Sequence, residues 1–185
     1  MILRTRTGLL LLALTIATTV TACTATPTPA SSVSATPTPT PTPSQTTMSP
    51  ADQDLTKAKA AVVKLWEVVD GLTNDPKSSI QDLDAVASGQ VLTMFQENLG
   101  TYRAQGWTGS GSAIVENPMA ELAGTNAQGL TTWTVTACVD RSHTTLVDAN
   151  GKSAQLPPYR IIHNSTVVQR SGLFKVEQDQ ATGTC

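Results

Sequence analysis

The stretch that decides the fold is LTTWTVTACVD, residues 130–140. Apolar and polar side chains alternate through it, which is the two-residue period of a β-strand with one buried face. We expect the face that carries the tryptophan to lie against a core. The side chains on that face are Trp133, Val135, Ala137 and Val139, and those on the other are Thr132, Thr134, Thr136 and Cys138.

Further strands are predicted on both sides of this stretch, and they favour a meander of antiparallel strands. Asp148-Ala149-Asn150-Gly151 is a strong hairpin signal, because Asn-Gly tolerates positive φ. The glycine-rich residues 106–111 follow a helix and precede a strand, the reverse of a phosphate-binding turn, so we interpret them as a flexible connection. The predicted strands are residues 107–116, 119–123, 130–140, 145–147, 159–169 and 173–178.

Helices are predicted before residue 106. Ser49-Pro50-Ala51-Asp52 has the residues of a helix start, and apolar residues recur at steps of three and four from Leu55 to Leu72. A short helix follows at residues 79–86, and a third carries apolar residues on one face from Leu92 to Tyr102. Helices followed by antiparallel strands indicate an α+β domain, with the helices on one face of the sheet.

Residues 1–22 have the three parts of a secretory signal: Arg4 and Arg6, an uncharged run from Gly8 to Val20, and small residues at the end. Val20-Thr21-Ala22-Cys23 resembles a bacterial lipobox, in which the cysteine thiol accepts a diacylglyceryl group. We therefore predict lipid attachment at Cys23, which anchors the chain to the membrane. An ordinary signal peptide followed by a chance cysteine is the alternative.

Residues 23–49 are predicted to be the lipidated cysteine and a disordered stalk, and residues 50–185 a single domain. Residues 24–49 contain nine Thr, six Pro and five Ser and no charged residue, so they have little apolar surface to bury. The Thr-Pro repeats favour an extended polyproline helix. Such a stalk would lift the domain from the outer face of the cytoplasmic membrane into the cell wall. Its composition also suits O-glycosylation, and a plain spacer is the alternative.

The order of elements resembles the nuclear transport factor 2-like, or cystatin-like, cone, and more narrowly a group of uncharacterised actinobacterial or phage-encoded lipoproteins. The resemblance implies N-terminal helices packed on a curved antiparallel sheet. It implies no activity for this chain, although enzymes of this fold keep an acid/base pair deep in the cone. The matching stretches are residues 66–76, 101–107, 134–140, 147–152 and 183–185.

Two cysteines remain once Cys23 carries lipid, and both belong to the exported part of the chain. Thiols oxidise outside the cytoplasm, so we predict a disulfide between Cys138 and Cys185. A reactive redox pair is the alternative, but the usual Cys-x-x-Cys spacing is missing.

No pattern of residues predicts a metal site, a cofactor or a catalytic centre. His143 and His163, with Asp140 and Asp148, could in principle hold zinc, but their spacing matches no zinc motif, and we interpret both histidines as exposed strand residues. Asp140 and His163 are the candidates for an acid/base pair, and we expect no pair to form if both face solvent.

Four aromatic residues fall where the helices should meet the sheet: Trp66, Tyr102, Trp107 and Trp133. They either fill the core of a small domain or line an open pocket for an apolar ligand.

Charge excludes one class of function. Without Arg4 and Arg6, ten basic and fourteen acidic residues remain, a net charge of −4, whereas nucleic-acid binding needs a basic surface. We therefore predict a non-enzymatic module that binds a cell-envelope protein. The alternatives are a carrier of a small apolar ligand in the cone, or an isomerase- or dehydratase-like enzyme.

Overall fold

The computed structural model describes residues 48–154 and 158–185. The predicted signal, the lipid-attachment residue Cys23 and the stalk up to residue 47 lie outside the described residues. In the described part helices come first and antiparallel strands follow, which confirms the α+β class. No helix within these two ranges has the length and apolarity needed to cross a membrane. The elements are α1 (Pro50–Asn74), a 3₁₀ helix (Ile80–Ala85), α2 (Gly89–Ala104), β1 (Thr108–Ser110), β2 (Ile114–Thr125), β3 (Thr131–Asp140), β4 (Thr145–Val147), β5 (Arg160–Arg170) and β6 (Leu173–Thr184).

Helix α1 begins where the sequence predicts. The Ser49 hydroxyl accepts a hydrogen bond from the backbone N–H of Asp52 at 3.2 Å, and Pro50 occupies the first turn, where its missing N–H costs nothing. One face of the helix is buried over its whole length. Its buried residues are Ala58, Ala61, Val62, Leu65, Trp66, Val69, Asp70 and Leu72.

Helix α2 is shorter and is fastened to the last strand through the segment that precedes it. The N–H of Val176 donates to the carbonyl of Val86, and the N–H of Ser88 donates to the carbonyl of Val176. These two hydrogen bonds hold the start of α2 against β6. The helix buries Val91, Phe95 and Leu99, which follow each other at four-residue steps.

Four strands form the main sheet in the order β2-β3-β5-β6, and all neighbours are antiparallel. The predicted inward face of β3 is confirmed: Trp133, Val135, Ala137 and Val139 are all buried. Val167 and Val176 continue the same face on β5 and β6 and join the core cluster with α1 and α2. Each such buried valine contributes roughly 1.5–3 kcal/mol to folding.

Irregularities in the pairing bend the sheet strands. Strand β2 shifts register between Glu116 and Met119, where Asn117 has φ +47° and Pro118 follows. Strands β5 and β6 shift register twice, between Ile162 and His163 and between Thr166 and Val167. Each such shift adds a local bend and increases the twist.

A second, two-stranded sheet pairs β1 with β4 and corrects two sequence predictions. Residues 107–116 are not one strand, because β1 ends at Ser110 and β2 begins at Ile114. The glycine-rich residues 106–111 are not simply a flexible connection, since β1 lies within them. Gly111 has φ +82°, and a Cβ there would collide with the carbonyl of His143, so only glycine fits.

Candidate functional site

An interior cavity of about 100 Å³ lies between α1, α2 and the small β1–β4 sheet. Aromatic and apolar side chains form much of its wall, and charged and amide groups form the rest. Helix α1 contributes Trp66 and Asp70, and α2 contributes Phe95 and Tyr102. Arg141, directly after β3, completes the ring of charged and aromatic groups.

Asp70 is the one carboxyl group among the described residues that line this cavity. It is buried, and its Oδ2 accepts the backbone N–H of Ala113 at 2.6 Å. Burial raises the pKa of Asp70, while the hydrogen bond from Ala113 and the charge of Arg141 oppose that rise. The sequence analysis missed Asp70. The signal was present, because Asp70 follows Trp66 by four residues and so shares the apolar stripe of α1.

The four aromatic residues predicted to line a pocket are divided between different places. Trp66 and Tyr102 line the cavity. Trp107 stacks on Tyr102 with the ring centroids 5.4 Å apart, and Trp133 lies against Phe174 at 4.9 Å. The indole N–H of Trp66 is buried and has no hydrogen-bond partner in the part of the chain that the structure describes. The structure therefore places two of the four residues at one site.

Trp133 instead lies at the floor of a groove on the surface, with a volume of about 460 Å³. The first turns of α1 contribute Ala51 and Leu55, and the edge strand β2 contributes Ala120 and Leu122. Leu122 pairs with Trp133 across the sheet, yet 65% of its surface is exposed. An exposed leucine beside a buried tryptophan makes this groove a candidate contact surface.

His163 is a correction to the sequence analysis, which interpreted it as exposed. Its side chain is only 12% exposed, and its ring lies edge-on to Trp66 with centroids 5.2 Å apart. His163 Nδ1 is 2.7 Å from Asp179 Oδ2, and the hydroxyl of Ser165 donates to Asp179 Oδ1 at 2.6 Å. The carboxylate stands between the other two groups, so the imidazole cannot deprotonate the serine as it does in a hydrolase triad.

Asp140 and His163 do not form an acid/base pair. Asp140 is buried at the end of β3 and accepts the N–H of Ser142 at 2.8 Å. Hydrogen bonds from the backbone and hydroxyl of Ser142, followed by the charge of Arg160, hold the pKa of Asp140 below its usual range. His163 has its own carboxylate partner, Asp179, and neither Asp140 nor His163 lines the interior cavity.

Cys138 and Cys185 form a disulfide, with Cα atoms 6.1 Å apart, inside the usual range of about 4.4–6.8 Å. The bridge spans two strands, because Cys138 on β3 pairs with Ile162 on β5 and Ile162 pairs with Gly183 on β6. No group of three or more His, Cys, Asp or Glu residues within residues 48–154 and 158–185 could hold a metal ion. His143 and Asp148 therefore belong to no such group.

No protein-family model and no curated protein matches this chain. Three solved structures share a partial likeness. The intermembrane space region of the chloroplast protein ARC6 is 16% identical, with a TM-score of 0.46, covering 69% of this chain and 97% of that one. The periplasmic domain of DotI is 16% identical, with a TM-score of 0.45, covering 76% and 100%. Aln2 from a Streptomyces species is 14% identical, with a TM-score of 0.38, covering 74% and 93%. At these scores the likeness carries no argument about function.

Proposed function

We propose that this chain is a lipoprotein of the cell envelope, anchored through Cys23 on the outer face of the cytoplasmic membrane. Its residues 50–185 would form a nuclear transport factor 2-like cone that binds another envelope protein and does not catalyse a reaction. The lipobox-like Val20–Cys23 and the uncharged stalk support the anchor and the reach into the cell wall. The Cys138–Cys185 disulfide supports an oxidising compartment, where such bonds persist.

The observation that carries the binding role is the groove lined by Leu55, Ala120, Leu122 and Trp133. Its wall is largely apolar, and the charged residues among its described lining, Asp54 and Glu121, are both acidic. Lys57 pairs with Asp54 at 3.0 Å, whereas Glu121 makes no ion pair with a described residue. The groove therefore suits an apolar side chain flanked by Lys or Arg on a partner protein, since complementary charge favours association.

The interior cavity gives less support to the two alternatives. A carrier of an apolar ligand needs roughly 300–1,000 Å³ of mostly apolar space, and this cavity is about 100 Å³ with charged groups in its wall. An isomerase or dehydratase needs an acid and a base within reach of the same substrate. Among the described lining residues Asp70 is the one carboxyl group, and no histidine accompanies it.

Site-specific photo-crosslinking in living cells tests the binding role. We would place a benzophenone amino acid at position 122 in the groove and, as a matched control, at Leu173, which is 58% exposed on the β5–β6 turn. We expect one discrete adduct from position 122 and none from position 173. Mass spectrometry would then identify the crosslinked segment of the partner, which should carry an apolar residue next to Lys or Arg.

The charge argument gives the decisive arm of this test. A synthetic peptide of the crosslinked segment should bind the purified chain, and Glu121→Lys should weaken that binding by about threefold to tenfold. Asp82→Lys, an exposed site outside the groove, should leave the affinity unchanged. Equal adducts from positions 122 and 173, or a peptide whose affinity ignores Glu121→Lys, would rule out the groove as the binding surface.

A further inference from the structure

The interior cavity brings a negative and a positive side chain to the same small space. Asp70 on α1 and Arg141 after β3 both line it. Their influence on each other is that of two charges, whereas the hydrogen bond to Asp70 comes from the N–H of Ala113. A ligand inside the cavity would therefore meet a carboxylate and a guanidinium together.

The remaining wall supplies aromatic faces and an unused donor. Trp66 and Phe95 lie edge to face with centroids 5.9 Å apart, and Tyr102 closes the side formed by α2. Aromatic faces beside a carboxylate suit an ammonium group, and a guanidinium suits a carboxylate, which it can bind with two parallel hydrogen bonds. The buried indole N–H of Trp66, which has no partner among the described residues, offers a further donor to an oxygen atom.

Size limits the ligand. A volume of about 100 Å³ holds roughly three water molecules, or an organic ligand of about five to seven non-hydrogen atoms. Leu99 and Leu146 close the cavity with branched side chains, so a long ligand would collide with them. A molecule that carries both an ammonium and a carboxylate within this size is an α-amino acid with a very small side chain.

We propose that this cavity binds a small zwitterionic amino acid of the size of glycine, alanine or serine, with its ammonium at Asp70 and its carboxylate at Arg141. Burial already raises the pKa of Asp70, so an ammonium group would supply charge that the site lacks. This site is separate from the surface groove, and its occupancy does not depend on the proposed protein partner.

Titration of the full-length chain, extracted in detergent, tests the proposal. Glycine, L-alanine and D-alanine would be added while calorimetry and tryptophan fluorescence are recorded. We expect one site with a Kd between about 10 µM and 1 mM, as suits so small a ligand. Acetate and methylammonium, which each carry one of the two charges, should bind at least about tenfold more weakly. Leucine should not bind.

Two variants locate the ligand. Asp70→Asn should weaken binding at least about tenfold and still fold, because the amide oxygen can accept the N–H of Ala113. Arg141→Gln should weaken it similarly, and binding by the matched controls Asp82→Asn and Arg170→Gln, which do not line the cavity, should equal wild type. In an NMR spectrum the Trp66 indole N–H should shift on saturation with alanine.

Three outcomes would overturn the proposal: no saturable binding of any of the three amino acids up to tens of millimolar, acetate or methylammonium binding as well as alanine, or a folded Asp70→Asn variant with unchanged affinity. None of these bears on the crosslinking from position 122, so the failure of one proposal is distinguishable from the failure of the other.

Discussion

Removing the disulfide between Cys138 and Cys185 should lower the free energy of unfolding by about 4 kcal/mol. The sequence separation of the two cysteines is 47 residues, and the chain-entropy model gives about 4 kcal/mol at 25 °C for a loop of that length. For a domain of this size the same loss corresponds to a fall in Tm of about 14 °C. The entropy lost belongs to the unfolded chain, so the core around Trp133 should stay intact.

The assay is urea denaturation of the Cys138→Ser/Cys185→Ser variant beside the wild type, with and without reductant. The variant should match reduced wild type, and Cys185→Ser alone should match the double variant, because either change removes the same link. Hydrogen exchange should show extra opening confined to the far end of β6, near Gly183, which the bridge ties across β5 to β3. A loss below about 1 kcal/mol, or opening spread through α1, would refute the entropic reasoning.

Three further predictions concern other parts of the chain. The membrane-extracted protein should have lost residues 1–22 and gained a diacylglyceryl group on Cys23, and Cys23→Ala should leave the precursor unprocessed; intact mass decides this, and a soluble unacylated product would contradict it. Asp70→Asn should raise stability relative to wild type at pH 7, and the difference should shrink as the pH falls toward 3.8, because a raised pKa makes the carboxyl favour folding only while it holds its proton; an equal difference in urea denaturation at pH 4 and pH 7 would contradict it. Gly111→Ala should cost more than about 1 kcal/mol, whereas Gly100→Ala, at an unobstructed site in α2, should gain about 0.5–1 kcal/mol; similar melting temperatures for both variants would show that the tight approach to His143 is unimportant.

Elements whose signal is local could be predicted from the sequence. The start of α1 depends on Ser49 and Pro50, which lie next to each other, and the buried face of β3 follows from alternation within ten residues. The cysteine pairing could be inferred because export leaves two cysteines that have no other partner. In each case the deciding residues are neighbours or are very few.

The candidate site could be predicted only in part, because its groups come from distant segments. Trp66 and Tyr102 were expected at a pocket, but strand β1 exists through pairing with β4, which no pattern within residues 108–110 reveals. Burial of His163 depends on Asp179, a partner on the neighbouring strand across a register shift. Asp70 was missed because a charged residue on an apolar stripe reads as an interruption, although such an interruption can mark a functional group.

The bulge at Asn117 and Pro118 has a consequence for crowding. In the tethered arrangement proposed above, many copies share one membrane surface at high local concentration. Strand β2 is an edge of the main sheet and carries exposed Ile114, Met119 and Leu122, features that favour strand-to-strand aggregation. Pro118 has no N–H to offer a second chain, and the positive φ of Asn117 breaks the straight edge beside it. Neighbouring copies are thereby kept from joining into one continuous sheet while the groove beside Leu122 stays accessible.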